Sequence, residues 1–112
     1  MTCLLTVPLA MAQEQAVTAQ EIQDEWVGKT LVGATPSGAP VTMAFNANGT
    51  VALTAGRTSD TGTWRVVDNG YCTTWKTIRA GQERCFTARR AGTKITVSNP
   101  DGSVSGYFTG FK

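Results

Sequence analysis

Val41-Thr-Met-Ala-Phe45, Asn46-Ala-Asn-Gly49 and Thr50-Val-Ala-Leu-Thr-Ala55 follow one another without a break, two alternating segments joined by a cluster of turn formers. Alternation with a period of two is the mark of a strand with one buried face, because successive side chains leave a pleated backbone on opposite sides. Val41, Met43 and Phe45 fall on one such face. Asparagine and glycine tolerate the left-handed conformation a tight reversal needs, so the stretch predicts a β-hairpin.

The same two signals recur on both sides of it. Upstream, Thr30–Ala34 predicts a strand closed by the turn Pro36-Ser37-Gly38. Downstream, residues 62–67 place Trp64 and Val66 on one face, and Asp68-Asn69-Gly70 predicts a reversal. Tyr71–Thr77 and Arg84–Arg90 form the next pair, Ala91-Gly92 leads to Lys94–Ser98, and Asn99-Pro-Asp-Gly102 turns the chain into Val104–Phe108. That makes eight strands in sequential hairpins. Such strands, apolar on one side, either stack as two sheets or close on themselves, and closure removes the exposed edges. The expected fold is all-β, a small eight-stranded antiparallel up-and-down barrel of calycin or lipocalin type. Leu31, Met43, Phe45, Val51, Leu53, Trp64, Val66, Phe86, Ile95, Val97 and Phe108 suffice to fill an interior of that size. A deep cavity is not expected. A ligand would meet an open end, a groove under the helix or the outer face.

Ahead of the strands the period changes. Thr18-Ala-Gln-Glu21 has the capping-box pattern, in which hydroxyl and carboxylate each satisfy an orphan amide of the first helical turn. Ile22 and Trp26 then share one helical face and Gly28 ends the element. This predicts a short N-terminal helix, held against the sheet by Trp26. Earlier still, Met1–Ala12 is an apolar run ending in Ala10-Met11-Ala12 before polar Gln13, the form of the tail of a secretory signal peptide, although the first basic residue is Lys29. An ordinary apolar arm is the alternative. The run is too short to span a bilayer, and no transmembrane segment is expected. The chain thus divides into a leader remnant over 1–12, an arm and short helix over 13–27, and a β-barrel domain over 28–112.

If Cys3 departs with the leader, Cys72 and Cys85 remain, and an oxidising compartment makes their disulfide the default outcome. Such a loop closure stabilises by roughly 3 kcal/mol in the chain-entropy account. The expected location is periplasmic or secreted.

The residue inventory narrows the chemistry. Of 112 residues none is histidine, which removes the commonest general base, metal ligand and activator of a nucleophile. Two cysteines so far apart make neither a redox CxxC pair nor half of a zinc site. Glu21, Asp24 and Glu25 are accounted for by the helix, Asp68 and Asp101 by turns, and nothing sets Asp60, Glu83 or Glu14 in pairs across a cleft. No glycine-rich strand-to-helix turn cradles a nucleotide. A net charge of +2 is too small for a nucleic-acid binder, which must neutralise many phosphates. We expect no enzyme, no cofactor, no metal and no nucleic-acid partner.

The densest cluster is Tyr71-Cys72-Thr73-Thr74-Trp75 with Arg84-Cys85-Phe86. Tyr71, Thr73 and Trp75 share a face. Two readings stay open: a disulfide and aromatic clamp holding one hairpin, or an exposed platform of Tyr71 and Trp75 beside Lys76, Arg79 and Arg84, suited to an anionic, sugar or peptide ligand. Six of the ten cations lie between positions 76 and 94. They form either a solvated face or an anion-facing patch. Arg89 and Arg90, being adjacent, point to opposite faces.

Taken together, Asp60-Thr-Gly-Thr-Trp64, Tyr71-Cys-Thr-Thr-Trp75, Glu83-Arg-Cys85-Phe86 and Pro100-Asp-Gly102 resemble a family of small exported bacterial domains of unknown function that share a Gly-x-Trp strand, a Cys-x-x-Trp strand and a returning cysteine. The resemblance spans residues 28–111. It implies export and the disulfide, and brings no catalytic residues with it. In architecture alone the chain is similar to small β-barrel inhibitors of proteases or lysozymes. The expected function is a non-catalytic binding or accessory module for a small anionic or apolar ligand. A protein partner, met as an inhibitor of a secreted hydrolase, is the alternative.

Overall fold

A computed structural model describes residues 14–112. Residues 1–12, expected from the sequence to be a leader remnant, lie outside them. Among the described residues there are nine strands: β1 (Gln15–Ala16), β2 (Lys29–Ala34), β3 (Pro40–Phe45), β4 (Thr50–Ala55), β5 (Thr58–Val67), β6 (Gly70–Trp75), β7 (Arg84–Ala91), β8 (Lys94–Ser98) and β9 (Val104–Phe111). Strands β2 to β9 pair antiparallel in sequence order, and β9 returns to β2. The eight-stranded up-and-down barrel is therefore closed, as the alternation and turn spacing predict.

Cross-strand partners share a face, so the pairings identify the interior. Met43 faces Leu53, Phe45 faces Val51, Val66 faces Tyr71 and Tyr71 faces Phe86. Leu31, Phe45, Val51, Phe86, Val97 and Phe108 are buried, while Leu53, Trp64 and Val66 pack partly exposed against them. The disulfide Cys72–Cys85 joins directly opposed residues of β6 and β7 on the outer face.

Two turns differ in detail from their sequence reading. At the β5–β6 reversal the left-handed residue is Asn69 (φ 60°), and Gly70 already belongs to β6. Glycine is required there for another reason: a Cβ would lie 1.8 Å from the Phe86 carbonyl oxygen. β6 also ends at Trp75, before Thr77, because the chain then enters a short 3-10 turn at Ile78–Gly81.

The helix is shorter and wider than the pattern suggests. A single turn, Ala19–Glu21 (α1), runs into a π-helical stretch, Ile22–Trp26. Thr18 Oγ1 accepts from Glu21 N at 3.1 Å, which is half of the capping box. The other half is not made: the Glu21 carboxylate turns instead to Arg90. Val17, Ile22 and Trp26 are buried in the barrel, with the Trp26 ring 5.6 to 5.9 Å from Phe45, Tyr71 and Phe108. The helix is thus a plug at the end where β2 begins. Strand β1, which the sequence does not announce, fixes its approach. It pairs with Arg89 and Arg90 on β7, beyond the point where β6 begins, and Val17 N donates to Ala88 O.

Candidate functional site

At the end of the barrel away from the plug the interior is not filled. A cavity of about 230 Å³ reaches from Ala34, Val41 and Ala55 near the rim down to Tyr71, Phe86 and Phe108. This is where the residues of β6 matter. Alternation sends Tyr71, Thr73 and Trp75 inward and Cys72 outward, so one strand supplies both the cavity wall and the covalent tie to β7.

The walls differ in chemistry. Val41, Met43, Leu53 and Ala55, from β3 and β4, are wholly apolar. The β6 wall carries the Tyr71 phenol and the Thr73 hydroxyl. Thr73 is 1% exposed, and its Oγ1 has no hydrogen-bond partner among the described residues. A buried hydroxyl left unpaired costs about 1–3 kcal/mol, so its place on a cavity wall calls for an explanation. Burial pushes the Tyr71 phenol far above its ordinary range, and the nearby Arg79 charge opposes that shift.

Arg79 enters from the β6–β7 connection. Its guanidinium lies over the Phe86 ring, 5.4 Å from the centroid, and lines the cavity. Arg79 and Ala80 both adopt left-handed backbone conformations (φ 56° and 53°). Each costs roughly 1–2 kcal/mol in a residue with a Cβ, and such strain persists only where the surroundings impose it. Asp60 imposes it. Its Oδ2 accepts from Ile78 N, Thr77 N and Thr77 Oγ1, each at 2.9 Å, and Oδ1 accepts from Thr61 N at 2.8 Å. The bond from Ile78 above all, with those from Thr77 and Thr61, holds the Asp60 carboxyl down at about 2. Sequence alone leaves Asp60 without a role; here it anchors the connection that carries Arg79.

Of the five residues expected to form a surface, Tyr71, Trp75 and Arg79 line the cavity, whereas Lys76 and Arg84 do not. The platform is not on the outside: Tyr71 is 3% and Trp75 5% exposed. The closed barrel reverses the expectation, since the face shared by Tyr71 and Trp75 is the one that points into the lumen. Arg84 lies opposite Thr73 at the rim, and its charge pushes the Arg79 guanidinium downward, in addition to the larger effect of burial. Lys76 is exposed where the connection begins. Thr73 and Ile78 are cavity residues the sequence reading passed over. Thr73 had a signal, a hydroxyl at an inward position between two aromatics.

The cation run over 76–94 does not form one patch. Arg89 pairs with Glu14 at 3.1 Å and Arg90 with Glu21, both tying down the N-terminal arm, and Lys94 lies over Tyr107 at 4.1 Å. On the outer face, sulfur atoms of Cys72 and Cys85 and a Glu83 oxygen lie within 4.8 Å of one another. The sulfurs are bonded to each other there, and Glu83 makes a two-pronged pair with Arg65 at 2.8 and 3.0 Å. A disulfide offers no thiolate to a metal ion. Among the described residues no helix is long and apolar enough to cross a membrane.

No family model, curated protein or solved structure matches the chain.

Proposed function

We propose that the chain is an exported, periplasmic binding module that holds a small, largely apolar molecule in the open end of its barrel and performs no chemistry on it. One observation carries the reading: a cavity of about 230 Å³, apolar on one wall, with an unpaired buried hydroxyl on the other. Ligand sites are concave, mostly apolar and fixed in specificity by a few placed polar groups.

The titratable groups of the site support binding over catalysis. The carboxyl of Asp60 is held at about 2 and the phenol of Tyr71 is driven far upward. A general acid or base works best when its pKa lies near the operating pH, and both groups are displaced away from neutrality. Export rests on the leader pattern and on the Cys72–Cys85 bond, which is at home in an oxidising compartment. The enclosed position of Tyr71 and Trp75 favours a small molecule over a protein partner, because neither ring is available to a flat partner surface.

The test is mass spectrometry of the protein exported by its own host, under native and then denaturing conditions. The expected result is a chain lacking the leader, two hydrogens lighter than the reduced form, with a small non-covalent addition under native conditions. A chain that keeps Met1 and free thiols would overturn the export reading. A chain that recovers no addition after incubation with an extract of that host would overturn the binding reading.

A further inference from the structure

At the open end two cations lack an ion-pair partner among the described residues, although Asp101 is near enough to Arg84 to sense its charge. Asp60 is occupied by the amides and hydroxyl of residues 77 and 78, Glu83 by Arg65, and Asp101 by the amide and hydroxyl of Ser103. Arg79 and Arg84 make no ion pair and no side-chain hydrogen bond among the described residues. Two guanidiniums thus stand near one another at the mouth while each nearby carboxylate is already engaged. An arrangement of this kind stabilises a negative charge brought from outside.

The polar groups of the cavity lie on the β6 side and, through Thr35, Ser105 and Tyr107, just after β2 and on β9, whereas the wall formed by β3 and β4 has none. Thr73 Oγ1, the Tyr71 phenol and the Arg79 guanidinium belong to β6 and the connection after it, while β3 and β4 supply only hydrocarbon. A molecule charged at one end and apolar along its body would satisfy both sides. Size sets the scale of that body. An engineered cavity of about 150 Å³ holds benzene, with six non-hydrogen atoms, so 230 Å³ gives room for about nine.

We infer that the lumen takes a small monocarboxylate, its carboxylate received by the Arg79 guanidinium and the Thr73 and Tyr71 hydroxyls and its apolar body laid against Val41, Met43 and Leu53. The inference rests on the lumen being the binding site, as proposed above. Arg79 supplies the charge that separates an acid from the corresponding alcohol, and Thr73 gains the partner it otherwise lacks.

The experiment is isothermal titration of the intact chain with three probes of one length, octanoate, octan-1-ol and octylammonium. It is repeated on Arg79→Gln and on Arg79→Lys, each first checked for folding by circular dichroism. Octanoate is expected to bind once per chain, at least about tenfold tighter than octan-1-ol, a difference of about 1.4 kcal/mol. Arg79→Gln should abolish that preference with octan-1-ol unchanged, and Arg79→Lys should keep most of it. Equal binding of octanoate and octan-1-ol to the unaltered chain, or tighter binding of octylammonium, would overturn the acid assignment and leave the lumen as a binding site. Binding of none of the three would overturn both.

Discussion

Replacing Thr73 by valine should make the protein more stable and a poorer binder at the same time. Thr73 is 1% exposed, and its hydroxyl finds no partner among the described residues. Valine keeps the branched shape and strand preference of threonine while removing the oxygen. The unsatisfied group costs about 1–3 kcal/mol, and valine relieves most of that, so the unliganded barrel should gain about 1–2 kcal/mol. For a domain of this length the gain corresponds to a rise in Tm of roughly 5–10 °C. The assay is urea denaturation followed by tryptophan fluorescence, with and without saturating octanoate. An unchanged m-value shows that the midpoint reports stability alone. With octanoate present the advantage of valine should shrink or reverse, because the ligand gives the threonine its missing partner. Lower stability of Thr73→Val without ligand would refute the argument, and so would an equal gain with and without octanoate.

Three further outcomes follow from the same contacts. Asp60 is held at about 2 against an ordinary 3.8, so its contribution to stability is whole above the unfolded value and is lost as pH falls from there through about 2; melting curves from pH 6 to pH 2 should show this decline for the unaltered chain and a flatter one for Asp60→Asn. Replacing Cys72 and Cys85 by serine should cost roughly 3 kcal/mol in the chain-entropy account, seen as an equal displacement of the urea midpoint by the double variant and by added reductant. Trp26→Ala removes the ring that meets Phe45, Tyr71 and Phe108, and should cost about 3–5 kcal/mol by thermal denaturation; a loss below about 1 kcal/mol would show that the plug is not part of the core.

The barrel was legible because its cause is local. Alternation such as Val41-x-Met43-x-Phe45 and turns such as Asn46-Ala-Asn-Gly49 act between neighbours in sequence, and each of the eight strand segments can be read from its own residues. What stayed hidden depends on contacts between residues distant in sequence. Gln15 and Ala16 become a strand because β6 begins only at Gly70 and leaves one edge of β7 open past Thr87, a fact of the assembled sheet. Glu21 leaves its capping role because Arg90 is brought alongside from a position 69 residues away. The inward turn of Tyr71 and Trp75 lies between these cases. Alternation puts them on one face, but only closure of the barrel decides that this face is the lumen.

The segments Asp60–Trp64, Tyr71–Trp75 and Glu83–Phe86 share one structural task, the placement of β6 and the connection after it. Gly62 sits opposite Trp75, where a Cβ would lie 2.1 Å from the Thr74 carbonyl oxygen, so glycine lets β5 and β6 approach. Trp64 faces Thr73 from β5, donates to Asn46 O at 3.0 Å and packs its ring 5.1 Å from Phe45, which ties β5, the neighbour of β6, to the β3–β4 hairpin. Cys72 is bonded to β7, Glu83 is held by Arg65 across the outside of that bond, and Asp60 grips the backbone just beyond Trp75. Tyr71 meets the plug through Trp26 on one side and the cavity through Phe86 on the other. A strand fixed from so many directions has little freedom to rotate a stray hydroxyl toward a partner. The unpaired Thr73 oxygen lies on this restrained strand, in a residue that lines the open lumen. On the reading proposed above, the restraint keeps that oxygen, and the left-handed Arg79 beyond it, in place for an acceptor that the described residues do not supply.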